Sequence, residues 1–126
     1  MQPKRILIVD DEEHIREIAT VSLELTQQWQ ISTAQSGAEA LELAPRILPD
    51  AILLDVMMPE MDGPTTFRLL QHDPATRDIP VIFLTAKVQA GDRRRFSDLG
   101  VRFMIAKPFD PLTLGAQVAA ALEWVA

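Results

Sequence analysis

Four short apolar runs punctuate the chain: Ile6-Leu7-Ile8-Val9, Ala51-Ile52-Leu53-Leu54, Val81-Ile82-Phe83-Leu84 and Phe103-Met104-Ile105-Ala106. None of them alternates with polar residues, which is the pattern of strands buried on both faces, as in parallel sheets covered by helices. A fifth segment, Trp29 to Ala34, sets Trp29, Ile31 and Thr33 against Gln30, Ser32 and Ala34. That half-exposed alternation predicts an edge strand. Helical spacing fills the intervals. Glu12 to Gln27 carries Ile15, Ile18, Ala19, Val21, Leu23 and Leu25, with Asp11 or Glu12 placed to cap its start. Ser36 to Arg46 opens on Ser36-Gly37-Ala38-Glu39, a capping box. Gly63 to His72, Gln89 to Leu99 and Asp110 to Ala126 supply three more helices. Prolines 49, 59, 74, 80, 108 and 111 fall at boundaries, where a missing N–H does least harm. Five repeats of strand then helix, joined by right-handed crossovers, predict an α/β fold with an open, doubly wound parallel sheet. No linker or repeat divides the chain, so residues 1–126 are read as a single domain.

Composition narrows the function classes. A chain of 126 residues that is 48% hydrophobic suits one folded domain. The absence of cysteine removes disulfides, thiolate metal sites and thiol nucleophiles from consideration. No apolar run approaches the ~20 residues of a membrane span, and the opening MQPKRILIVDD meets adjacent acids too soon for a signal peptide. A cytoplasmic location with no membrane contact is the default expectation. The net charge of −6 argues against direct binding of nucleic acid, an affinity that rests on phosphate neutralisation by Lys and Arg.

Ligands of such sheets bind where the strands end at their carboxyl edge, near the switch point in strand order. The residues that follow each apolar run are therefore the informative ones: Asp10 and Asp11 after the first, Asp55 after the third strand, Thr85 after the fourth, Lys107 after the fifth. Singly, each has an ordinary reading as a helix cap, a turn residue or a loop residue. Together they converge on one rim. Three carboxylates there raise one another's pKa values unless a cation shares them. A hard divalent ion with oxygen ligands answers that need, and beside phosphate the usual one is Mg²⁺. His14 and His72 are too far apart in the pattern to pair as ligands and are read as surface residues.

The patterns Ile-Leu-Ile-Val-Asp10-Asp11-Glu, Ile-Leu-Leu-Asp55-Val-Met-Met-Pro59-Glu-Met-Asp-Gly63, Val-Ile-Phe-Leu-Thr85-Ala86 and Ala-Lys107-Pro108-Phe109 resemble the receiver domain of bacterial two-component response regulators. The resemblance runs from about Lys4 to the end of the chain. It implies a flavodoxin-like (βα)5 fold with strand order 2-1-3-4-5. It also implies that Asp55 is the phosphoacceptor, that Asp10 and Asp11 hold Mg²⁺ (Mn²⁺ as a substitute) together with Asp55 and the backbone carbonyl of Met57, and that Thr85 and Lys107 contact the phosphoryl oxygens. A cis Lys107–Pro108 bond belongs to the same set of expectations. The implied donor is a histidine kinase or histidine phosphotransfer protein, and the implied output is a changed surface at helix four, strand five and helix five for a downstream protein. The chain would catalyse only its own phosphorylation and dephosphorylation, and so is not counted as an enzyme.

The chain departs from the family pattern at Met104, where an aromatic residue usually partners the moving Thr; Phe103 alternates to the opposite face. Met57 and Lys87 flank the path of hydrolytic water that the resemblance implies. From Leu112 to Ala126 the last helix carries only Glu123 as a charge, with a stripe of Leu114, Val118, Leu122 and Val125 expected toward the sheet and Trp124 toward solvent or a partner. Family dimers through helices four and five use basic residues on that last helix, and it has none, despite Arg93-Arg94-Arg95 on helix four. Two other classes remain. A phosphatase of the haloacid dehalogenase type would carry a second Asp two residues after its nucleophile, where Met57 stands. A receiver-like module that is never phosphorylated would be expected to lack one of the five site residues. Since no output segment follows the last helix, the chain is read either as a regulator working alone, like the chemotaxis regulators, or as a receiver from a longer protein.

Overall fold

The computed structural model describes residues 3–86, 90–101 and 103–124, and of residues 90–93 the backbone only. Strands and helices alternate along the chain: β1 (Arg5–Val9), α1 (Glu13–Gln27), β2 (Gln30–Ala34), α2 (Gly37–Ile47), β3 (Ala51–Asp55), α3 (Gly63–His72), β4 (Val81–Thr85), α4 (Ala90–Leu99), β5 (Phe103–Ala106) and α5 (Leu114–Ala121). All strand pairs are parallel, in the order β2-β1-β3-β4-β5. The expected fold class and strand order are both observed, with the alternating segment β2 at an edge.

The unbroken apolar runs follow from this placement. Successive residues of a strand face opposite sides, and in β1, β3 and β4 both sides are covered; the run Phe103–Ala106 is a correction, since β5 forms the other edge of the sheet and its Phe103 and Ala106 are exposed. Leu7, Val9, Leu54 and Phe83 pack against Ala40 of α2, Phe67 and Leu70 of α3, and Phe96 of α4. Ile8, Leu53, Leu84 and Ile105 pack against Ala19 and Leu23 of α1 and against Leu114 and Val118 of α5. Phe83 anchors the first side, meeting Phe96 and Phe67 edge to face with ring centroids 4.8 and 6.1 Å apart.

Local signals set most helix ends. Ser36 accepts a hydrogen bond from the Glu39 amide at 3.1 Å, one half of the capping box. Asp62 caps α3 by accepting from the Thr65 amide at 2.8 Å, and those hydrogen bonds hold its carboxyl below the usual range. The start of α1 is a correction. Glu12 is the residue in the capping position, but its side chain makes no cap. Instead its amide donates to Asp10 Oδ1 at 2.9 Å.

The last helix is shorter than its apolar composition suggested. Residues 110–113 form a turn in which Asp110 accepts from the Leu112 amide at 2.9 Å, so the helix begins only at Leu114. It ends where Glu123 takes a left-handed φ of 57°. Leu114, Val118 and Leu122 face the sheet as expected, while Val125 lies outside the described residues. Trp124, expected toward solvent or a partner, is half-buried within the chain. It meets Trp29 edge to face at 5.3 Å and lies under the Lys4 ammonium at 4.6 Å, a contact between chain segments that no local pattern encodes. Arg94 and Arg95 of the arginine run are exposed; the Arg93 side chain lies outside the described residues. Among the described residues, no helix is long and apolar enough to cross a membrane.

Candidate functional site

The carboxyl edge of the sheet collects the polar residues that follow the strands. Asp55 is the last residue of β3, Thr85 the last of β4, and Asp10 and Lys107 immediately follow β1 and β5. Backbone hydrogen bonds carry the ladder past the strand ends and fix these positions. The Asp10 amide donates to the Ala34 carbonyl at 3.1 Å, the Val56 amide to Leu84 at 3.1 Å, and the Lys107 amide to Thr85 at 2.8 Å. Because β1 has β2 on one side and β3 on the other, Asp10 and Asp55 flank the point where strand order reverses.

Asp10 is fully buried and Asp55 is 3% exposed, whereas Asp11 faces solvent. Their carboxylate oxygens lie within 4.8 Å of one another. Lys107 reaches in from the far side, with Nζ 2.8 Å from Asp10 Oδ2, 3.2 Å from Asp55 Oδ1 and 3.9 Å from Glu12 Oε1. Burial, and then the charge of Asp10, push the Asp55 carboxyl up to about 7, although Lys107 works in the opposite direction. Burial alone would lower the Lys107 ammonium, but Asp10 and Asp55 outweigh it and hold the pKa above the usual value. One ammonium thus faces more carboxylates than it can balance. Three clustered oxygen-bearing side chains with excess negative charge fit a hard divalent cation, by donor type and by charge.

The other expected residues fall around this cluster. Met57 follows β3 with its side chain 76% exposed. Thr85 is buried beside the strand that carries Asp55. Met104 is half-buried on the face of Phe83 and Phe96, while Phe103 is exposed, so the two alternate as expected. The Lys107–Pro108 peptide bond is cis. His14 sits 3.4 Å from Glu12 at the surface and His72 is exposed. Lys87 lies outside the described residues.

Two features escaped the sequence reading. Gly63 is packed so closely on β3 that a Cβ there would lie 2.5 Å from the Asp55 carbonyl oxygen and 2.9 Å from Val56 Cα. Arg16, in α1, donates from Nη1 to the Asp10 carbonyl at 2.8 Å. The Asp-Gly pair at 62–63 hinted at the first. Nothing hinted at the second, because its target is a backbone atom.

Comparison with known proteins identifies the family of the fold. The family model described as response regulator receiver domain matches residues 6–119. The response regulator PleD of Caulobacter vibrioides is 46% identical over 115 residues, covering 90% of this chain and 25% of that protein. The DNA-binding dual master transcriptional regulator RpaA of Synechocystis is 38% identical, covering 94% of this chain and 49% of that protein. The chain therefore spans between a quarter and a half of the length of these two relatives. Among solved structures, the chemotaxis protein CheY4 of Vibrio cholerae superposes with a TM-score of 0.88 at 27% identity, covering 94% of this chain and 98% of that one. The N-terminal domain of a response regulator receiver protein from Methanoculleus marisnigri gives 0.77 at 38% identity, with 97% and 95% covered.

Proposed function

The chain belongs to the response regulator receiver domain family, and from that premise we propose that it is a phosphorylation switch whose phosphoacceptor is Asp55. The observation that carries this reading is a buried carboxylate at the end of a central strand, with Lys107 3.2 Å away and two further acids in reach. A histidine kinase or histidine phosphotransfer protein is the proposed donor. In the step, an Asp55 oxygen bonds to phosphorus as the P–N bond to the donor's imidazole breaks, and the leaving nitrogen takes up a proton. The product is an acyl phosphate on Asp55 and a free histidine.

Each residue has a proposed task. Asp10, Asp11, Asp55 and the Met57 carbonyl would hold Mg²⁺, with Mn²⁺ as a substitute. When bound, the ion supplies charge neutralisation to the transferring oxygens. Lys107 offsets charge from the other side, and the Thr85 hydroxyl offers a donor to a phosphoryl oxygen. The acyl phosphate carries about 1.5–2 negative charges on three oxygens beside Lys107 and Thr85, in place of the single charge of the carboxylate. That new charge reorganises the surface of α4, β5 and α5, where a downstream protein binds. Met104, against Phe83 and Phe96, relays the movement by repacking rather than by turning an aromatic ring. The donor must approach Asp55 closely. The exposed apolar stripe of Ile18, Val21 and Leu25 on α1, continued by Leu112, gives it a surface to pack on.

Intact mass after incubation with phosphoramidate or acetyl phosphate tests the reading. We expect a gain of one phosphoryl group that requires Mg²⁺ and is lost in Asp55→Asn. No gain in the parent under any divalent-ion condition, or an equal gain in the variant, refutes it.

A further inference from the structure

We propose that Arg16 is a positioning residue for the metal-binding acids, acting through the backbone of Asp10; the inference rests on the assignment of Asp10 as a ligand made above. The polar groups of Asp10 face several parts of the fold. Its amide donates to Ala34 at the end of β2. Its Oδ1 accepts from the Glu12 amide, and its Oδ2 faces the Lys107 ammonium. The carbonyl is the remaining group, and Arg16 Nη1 holds it at 2.8 Å from six residues along the chain.

The choice of partner is informative. Glu12, Glu13 and Glu17 are neighbours of Arg16 in sequence, and Glu13 and Glu17 line the same groove between α1 and β2. Among the described residues no ion pair engages Arg16. Its cation is spent instead on a neutral carbonyl at the turn from which Asp10 and Asp11 project. That turn lacks the side-chain cap that would otherwise fix the start of α1. Arg16 supplies the missing constraint, tying the first turns of α1 to the end of β1 and so aiming both carboxylates at Asp55. Outer partners that orient metal ligands commonly change metal affinity by 10–100-fold when removed.

Electrostatics gives the opposite sign, which makes the inference testable. A cation beside an acidic cluster repels Mg²⁺, so removing it with no change in geometry would tighten binding. Calorimetric Mg²⁺ titrations of the full chain, parent against Arg16→Gln and Arg16→Lys, separate the two. We expect Arg16→Gln to weaken Mg²⁺ binding about tenfold. Arg16→Lys, which keeps the charge and one donor, should recover part of the loss. The Mg²⁺ concentration that half-saturates phosphoryl uptake should rise by the same factor, while its extent at saturating Mg²⁺ stays the same. If the parent binds and Arg16→Gln binds as tightly or more tightly, Arg16 is only a surface cation and the inference falls. If the parent itself binds no Mg²⁺, the ligand assignment falls with it. Should Arg16→Gln not fold by circular dichroism, the Lys variant decides alone: parental affinity overturns the proposal, and a several-fold loss supports it.

Discussion

Gly63→Ala is expected to destabilise the protein by at least about 3 kcal/mol and to abolish phosphoryl uptake in whatever fraction remains folded. The new methyl group would lie 2.5 Å from the Asp55 carbonyl oxygen and 2.9 Å from Val56 Cα. Neither atom belongs to a flexible side chain. Overpacking of this kind typically costs 1–3 kcal/mol even where side chains can yield, and here the backbone has to move. The Gly63 amide also donates to the Val56 carbonyl at 2.9 Å, so displacing α3 breaks the bond that seats its first turn on β3. Both movements act on the peptide that carries the phosphoacceptor. Urea denaturation of Gly63→Ala beside the parent, with intact mass after phosphoramidate, gives the answer. A variant with parental stability and parental uptake would mean that the loop relaxes freely and that the close approach carries no constraint.

Asp55→Asn should behave in the opposite way: without divalent ions at pH 8 it should be more stable than the parent. Burial and Asp10 raise the Asp55 carboxyl from an ordinary 3.8 to about 7. Between those values the folded protein holds a proton that the unfolded chain has released. Folding then takes up a proton, and stability falls as pH rises from about 4 to about 7. At roughly 1.4 kcal/mol per pH unit the ceiling is about 4 kcal/mol. About 2 kcal/mol is expected, since the Asn amide brings N–H donors that must find acceptors in a buried site. Denaturation in EDTA should show this gain at pH 8, a crossing of zero between about pH 5 and 6, and a variant less stable than the parent as pH approaches 4. Added Mg²⁺ should stabilise the parent and close the gap. A variant less stable than the parent at pH 8 in EDTA would show that the pairing with Lys107 already outweighs the burial of the charge.

What could be read from the sequence follows a physical divide. The runs of β1, β3 and β4 were legible because a strand covered on both faces has no polar positions to interrupt it; β5 carries the same unbroken pattern at an edge, with Phe103 and Ala106 exposed. Edge strand β2 was legible because one side is less covered. The site was legible because strand ends in a parallel sheet share one rim, so residues far apart in sequence become neighbours by topology alone. Helix α5 was overread for a related reason: its apolar composition runs on through Leu122 and Trp124, while the turn at Asp110 and the left-handed Glu123 set its limits. The sequence left Trp124 facing solvent or a partner because its contact, Trp29, lies most of the chain away. Arg16 was invisible as a site residue because sequence patterns mark side chains, and its partner is a carbonyl.

The Trp29–Trp124 pair has a practical consequence for optical work. Trp29 precedes β2 at the amino edge of the sheet, whereas Asp10 and Asp55 sit at the carboxyl edge. Five residues of extended strand put roughly 17 Å between the two edges. The chain contains two tryptophans and no tyrosine, so its ultraviolet emission originates at this edge-to-face pair, where Lys4 covers Trp124. That emission will report the melting of the amino edge and stay nearly flat while ions or phosphoryl groups arrive at Asp55. Ligation in this protein is spectroscopically silent unless a reporter is moved to the other end.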